Sequence, residues 1–222
     1  MLYIVATPIG NLEDITLRAV NVLKSVDMVF CEDTREALKL LNHLGIKKTL
    51  VSYYKDNESR RLKKAVELLL EGRDIALISD RGTPGISDPA YLLVREAYRY
   101  NIKVVPVPGA SALPAAMSAC GLPTDRFSFF GFVPRKDQKR LKFLSSLAER
   151  EETLVFFESV HRIKDTLRAV SEVFPEREMA LCRELTKKFE EIKVGKAADV
   201  CEEYRSREDL KGEFVIVIKG RD

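Results

Sequence analysis

The run Leu77-Ile78-Ser79-Asp80-Arg81-Gly82-Thr83-Pro84-Gly85-Ile86-Ser87-Asp88-Pro89 carries an apolar strand straight into a loop of hydroxyls, carboxylates, glycines and prolines. Gly82 and Gly85 permit close approach to a ligand that a Cβ would block, and Pro84 and Pro89 fix φ and stiffen the loop. Two further loops share this character: Ala6-Thr7-Pro8-Ile9-Gly10-Asn11 and Val107-Pro108-Gly109-Ala110-Ser111-Ala112, each after an apolar strand. Gly and Pro are ordinary turn residues one loop at a time. Three such loops at the carboxyl ends of strands in an open α/β sheet converge on one crevice, and that favours a ligand site.

The chemistry of this site is bounded by what is missing. No G-x-G occurs, which disfavours a dinucleotide fingerprint, and no G-x-x-x-x-G-K phosphate loop is present. No G-x-S-x-G elbow appears, and His43 and His161 are the only histidines, so Ser-His-Asp hydrolysis has little support. Rigid backbone amides and carbonyls with few titratable groups suit a neutral or cationic nucleoside better than a triphosphate.

These loops need a sheet to position them. Strands are expected at 2–6, 27–31, 49–52, 75–78 and 102–107, separated by helices over 14–26, 36–44, from a cap at Asp56 or Asn57 to Gly72, and over 89–100. Successive β-then-α units imply an α/β protein with a largely parallel sheet and helices on both faces. The pattern breaks near Gly121-Leu122-Pro123-Thr124. A second α/β set follows, with strands at 127–132, 153–157, 179–183, 190–194 and 213–218 and helices near 136–149, 162–174 and 197–205, read as a mixed sheet. The expected division is 1–112 for an amino-terminal domain and 113–222 for a carboxy-terminal one; 222 residues suffice for two cores of roughly 110 residues each.

Hydrophobic residues at 45% and charged residues at 32% mark an ordinary globular chain. The net charge of +3 is too small to imply a nucleic-acid partner without local clustering. Cys31, Cys120, Cys182 and Cys201 have no metal-ligand spacing, so no metal is expected. They read as buried thiols of a cytoplasmic protein, since Met1 opens directly into a strand. The uncharged stretch 104–124 is broken by prolines and glycines, so no membrane span is expected.

TPIGNLEDITLRAV, CEDTR, SDRGTPGISDPA, VPGASAL, GLPTDRFSFFGFVPRK, ESVHR and CRELTKKFEE occur in that order along nearly the whole chain. Together they resemble the ribosomal RNA small subunit methyltransferase I family. The resemblance implies the tetrapyrrole-methylase fold, with S-adenosylmethionine held in the cleft between two α/β domains, and a homodimer. It implies 2′-O-methylation of a cytidine in the decoding region of 16S rRNA, presented as RNA or within the small ribosomal subunit. By similarity Pro8, Ile78, Ser79, Asp80, Thr83, Ser111 and Ala112 contact the cofactor from the first domain, and Phe157 and Leu185 from the second. Arg81 stands where the family favours a small residue, Ala110 where proline is usual, and Val160 where proline often precedes the histidine. Rivals are a tetrapyrrole C-methyltransferase of the same fold and a non-catalytic ribosome-binding protein.

A ribose hydroxyl needs a base or a stabilising dipole to become a nucleophile. Glu32 and Asp33 follow the second strand and are candidate bases, with Arg35 as a phosphate holder. The competing reading of Asp33 is a helix cap. Asp80 is expected either to hold the cofactor's ribose or ammonium, or to cap its own turn. Glu158, His161 and Arg162, and the group Arg183, Glu184 and Thr186, are second-domain alternatives. Arg135, Lys136, Lys139, Arg140 and Lys142 form the expected RNA footprint. Neutralising Lys136 and Lys139 together is expected to weaken RNA binding and flatten its salt dependence while S-adenosylmethionine binding is unchanged, measured by titration at several salt concentrations.

Overall fold

The computed structural model describes residues 1–221; Asp222, the last residue of the expected second domain, lies outside them. The chain divides into two compact units, Met1–Ser111 and a second beginning at Ala112.

The first unit runs β1 (Leu2–Val5), α1 (Leu17–Ser25), β2 (Met28–Cys31), α2 (Thr34–His43), β3 (Thr49–Ser52), α3 (Glu58–Leu70), β4 (Ile75–Ile78), α4 (Tyr91–Arg99) and β5 (Val104–Val107). Its five strands are all parallel, in the order β3-β2-β4-β1-β5. Because both faces of this sheet are covered, its inner strands are apolar at every position. Ala76 and Ile78 of β4 face the core shared with α1 and α2, while Ile75 and Leu77 face the core shared with α3 and α4. Pro106, which has no N–H for a ladder, sits in the edge strand β5.

Helix boundaries follow local chemistry. The expected helix over 14–26 is split: a 3-10 turn covers Leu12–Asp14, and α1 begins after Thr16, whose side chain accepts from the Ala19 N–H. Asn57 precedes α3 but makes no side-chain cap. Its buried amide instead accepts from Tyr54 N (2.8 Å) and donates to Ser52 O (3.3 Å), bracing the turn that enters the helix.

The second unit contains α5 (Ala112–Ala119), β6 (Phe127–Phe132), α6 (Asp137–Ser145), β7 (Thr153–Ser159), α7 (Ile163–Val173), β8 (Glu178–Arg183), β9 (Glu191–Lys196), α8 (Ala197–Ser206) and β10 (Glu213–Ile218). Its sheet, β6-β7-β10-β8-β9, is mixed: β6 pairs parallel to β7, and the other pairs are antiparallel. Helices α6, α7 and α8 pack one face through Leu154, Phe156, Leu181 and Ile216, and α5 lies against β10. The helix expected over 136–149 ends at Ser145. Among the described residues no helix is long and apolar enough to cross a membrane.

One buried carboxylate in this unit is held by four hydrogen bonds. Glu158, whose side chain is 0% exposed, accepts from Arg162 Nε and Nη2 (both 2.9 Å), from Thr166 Oγ1 (2.7 Å) and from Ser159 N (2.8 Å). Arg162 also donates to Val133 O (2.9 Å), which ties the end of β7 to the segment after β6. Removing one partner of such a pair strands the other in the interior. Arg162→Met is expected to lower the unfolding free energy by about 3–5 kcal/mol in a urea titration, and Glu158→Leu added to it to recover most of the loss.

Candidate functional site

Strands β4 and β1 are neighbours, yet the helices that follow them, α4 and α1, lie on opposite faces of the sheet. Their carboxyl ends therefore flank a crevice of the kind that binds ligands in open α/β sheets. The loops at this edge are joined to one another. Thr7 N donates to Gly82 O (2.9 Å) and Gly82 N to Thr7 O (3.0 Å), an antiparallel bridge between the loops after β1 and β4. The buried Thr7 hydroxyl donates to Ser79 O (3.1 Å), and Thr83 Oγ1 donates to Ala110 O (3.2 Å) in the loop after β5. Gly82 has φ +82°, and a Cβ there would lie 3.2 Å from Ile9 Cγ2, so conformation and space both demand glycine. At Gly109 a Cβ would meet Ala6 Cβ at 3.0 Å, a close approach between the loops after β5 and β1.

The loop after β2 joins the same cluster. Asp33 N donates to Asp80 Oδ1 (2.9 Å), so Asp80 spans adjacent strand ends. Asp33 itself caps α2: its carboxylate accepts from Arg35 N (2.8 Å) and pairs with the Arg35 guanidinium at 2.5 Å. These hydrogen bonds pull the Asp33 carboxyl down to about 2. Of the two candidate bases, Asp33 and its partner Arg35 are thus engaged in capping, which weakens proton uptake by the one and phosphate holding by the other. Glu32 is different. Burial, then the charges of Asp88, Asp80 and Asp33, push its carboxyl above the usual carboxylate range.

Asp80 keeps solvent access, but partial withdrawal from water and the charges of Asp33 and Glu36 push it up, against the Asp33 amide and Arg81, which hold it down. Asp88, absent from the sequence-derived set, is raised by burial and by Asp80, with a hydrogen bond from Ser79 opposing. The Cys31 thiol is pushed up to about 12, first by burial, and is inert as a nucleophile. The structure thus brings together Pro8, Ser79, Asp80, Thr83, Ser111 and Glu32, and adds Thr7 and Asp88. Both additions lie inside loops the sequence singles out, but only their hydrogen bonds and charge environment mark them. The Ile78 side chain faces the core.

In the second unit, Ala112 opens α5. Phe157 is half-buried on β7 against Phe129 (ring centroids 4.7 Å apart) and Phe132 (6.1 Å). Leu185 is buried between Glu184 at φ +51° and Thr186 at φ +66°. A left-handed β-branched residue is a strained one, and no sequence signal foretold it. Lys187 Nζ clamps this turn to Glu184 Oε1 (2.7 Å) and Glu213 Oε2 (2.8 Å).

Arg135, Lys136, Lys139 and Lys142 are exposed around the start of α6, as a phosphate-binding face requires. Arg140 leaves that set. Its side chain is only 2% exposed and donates to Asp137 Oδ1 (2.6 Å) and Arg135 O (2.8 Å), so the guanidinium braces the helix start from within. Helical spacing turns position 140 inward while 136, 139 and 142 stay outside.

Residues 1–201 match the family described as Tetrapyrrole (Corrin/Porphyrin) Methylases. The chain is 46% identical to the ribosomal RNA small subunit methyltransferase I of Halalkalibacterium halodurans, over 99% of this chain and 75% of that protein. It is 43% identical to the protein of the same name from Thermotoga maritima, over 100% of this chain and 99% of that one. Among solved structures, uroporphyrin-III-C-methyltransferase from Thermus thermophilus superposes with a TM-score of 0.64 at 22% identity, over 98% of this chain and 93% of that one, a likeness of fold.

Glu32→Gln is expected to raise the melting temperature at pH 7. A carboxyl whose folded pKa lies above its unfolded value binds its proton more tightly when folded, so stability falls as pH rises through that interval. Glutamine carries no charge to repel Asp80 and Asp88, and its advantage should fade at about pH 4, where the carboxyl is protonated in both states. Thermal unfolding at the two pH values checks this; equal or lower stability at pH 7 counts against it.

Proposed function

Because the chain belongs to the ribosomal RNA small subunit methyltransferase I family, within the tetrapyrrole methylases, we propose that it transfers a methyl group from S-adenosylmethionine to the 2′-oxygen of a cytidine in 16S rRNA. The observation that carries this reading is identity of 43–46% over nearly the whole chain to proteins named for that rRNA. A homodimer in the cytoplasm, acting on the small ribosomal subunit, belongs to the same proposal.

The first-unit loops fit the donor by their chemistry. Glu32, Asp80 and Asp88 are held where partial withdrawal from water and neighbouring carboxylates disfavour their charges, and a cation placed among them would relieve that cost. S-adenosylmethionine has a sulfonium and an ammonium, and when bound it supplies an electrophilic methyl group. Pro8, Ser79, Thr83, Ser111 and the Ile78 backbone would shape its seat, with Asp80 serving its ribose hydroxyls or ammonium; Ala112, Phe157 and Leu185 would complete it.

Glu32 would accept the proton of the ribose 2′-hydroxyl as the oxygen bonds to the methyl carbon and the carbon–sulfur bond breaks, its electron pair staying on sulfur as a neutral thioether. Its raised pKa brings it nearer the neutral range, where a general base works best. Orientation supplies much of the rest, since an in-line displacement gains up to about 7–11 kcal/mol from positioning alone. The exposed Arg135, Lys136, Lys139 and Lys142 would hold the RNA backbone.

Incubation with methyl-labelled S-adenosylmethionine and undermethylated small subunits, beside a porphyrinogen control, is expected to place label on a cytidine 2′-oxygen of the RNA. Label on the porphyrinogen instead would overturn the reading. Glu32→Gln should lower turnover at saturating donor by roughly 10²–10⁴. Asp80→Ala should weaken donor binding at least about tenfold, the worth of one charge-assisted hydrogen bond, as measured by calorimetry.

A further inference from the structure

The ESVHR motif is only half absorbed by the fold. Glu158 and Arg162 form the buried pair, and the chain between them is pinned by Ser159 N on Glu158 and by Arg162 N on Ser159 O (3.0 Å). Val160 and His161 are thereby turned outward. They line a groove of about 480 Å³ between the start of α7 and the segment that leads into β10. That volume is in the range of small-molecule sites, about 300–1,000 Å³.

The groove has an apolar floor and a charged rim. Val160 and Leu210 form the floor, each packed from the outside against the core of the unit. His161, Lys164 and Lys211 stand at the rim as exposed side chains, and Asp165 and Glu208 stand with them. Gly212 closes the far side at φ +109°, where a Cβ would collide with the Glu184 side chain; the groove wall and the CRELTK turn are therefore built against each other. Arg183 Nε on Lys211 O (2.8 Å) fixes the segment further.

Two ammonium groups facing two carboxylates make a poor trap for a bare anion. They suit a ligand that offers anionic oxygens and hydrogen-bond donors together, around a flat apolar body. A nucleotide with an exocyclic amino group is such a ligand: phosphate for the lysines, amino group for a carboxylate, base face for imidazole and aliphatic floor. We propose that this groove is a subsite for one unstacked nucleotide of the RNA substrate, with a base that carries an amino group. The proposal rests on the rRNA-methyltransferase reading and extends it to a second binding position. His161 is the stacking platform, Lys164 and Lys211 hold the backbone, and Asp165 and Glu208 accept from the amino group.

The test uses the full chain and undermethylated small ribosomal subunits, with initial rates of label transfer measured against subunit and salt concentration and donor affinity measured separately. His161→Ala is expected to raise KM for the subunit about tenfold, the worth of one stacked base, with kcat and donor affinity unchanged. Lys164→Ala with Lys211→Ala should raise KM and make the salt slope shallower by about 1.4, two single-strand phosphate contacts. The paired Lys→Arg changes should restore both. Wild-type methylation with KM and salt slope unmoved in all variants overturns the groove alone; a wild-type protein that never labels small-subunit RNA overturns the underlying reading.

Discussion

Thr7 and Gly82 exchange two backbone hydrogen bonds across the ends of β1 and β4, and the first unit's edge is organised around that exchange. Neighbouring strands whose helices leave to opposite faces would otherwise part at their carboxyl ends, exposing backbone groups to whatever fills the gap. The bridge satisfies those groups and sets the distance between the two loops. It also explains the glycine: only a residue without Cβ adopts φ +82° there while Ile9 lies alongside. Thr83 on Ala110 and Asp33 on Asp80 extend the same stitching to the strands on either side, so the ends of four parallel strands form one polar lattice.

That lattice concentrates carboxylates where the fold alone would not want them. Withdrawal from water raises the proton affinity of Glu32, Asp80 and Asp88, and neighbouring carboxylates add to it: Asp88 and Asp80 at Glu32, Asp33 and Glu36 at Asp80, Asp80 at Asp88. Asp33, a few ångströms of chain away, shows the contrast, since capping and Arg35 pull it down to about 2. Groups with opposed shifts side by side are a signature of functional sites, because stability is given up there for charge placement. A cation bound among them would relieve that cost.

The second unit divides its motifs between interior and surface. In ESVHR the carboxylate and guanidinium turn inward and pair, leaving histidine and valine on a groove. In the basic run, Arg140 turns inward and its neighbours stay out. In CRELTK the strained turn at Glu184 and Thr186 is held by Lys187 and by the close fit of Gly212. In the first two, burial of one charge fixes where the others point.

Much was legible from the residue order. The apolar runs ending in Gly-Pro loops marked three strands of the parallel sheet to within a residue or two, because doubly covered strands are apolar throughout and need no tertiary context to be recognised. The motif order carried the family. What composition and spacing could not supply was the direction of individual side chains. Asp33 and Glu32 are adjacent acids in the sequence, yet one is a cap and the other is crowded by Asp88, more than fifty positions away. Arg140 looked like its lysine neighbours until the helix phase and Asp137 took it inside. Strand and loop identity is decided by local periodicity and turn chemistry; charge state and exposure are decided by contacts distant in sequence, and only the folded chain brings those together.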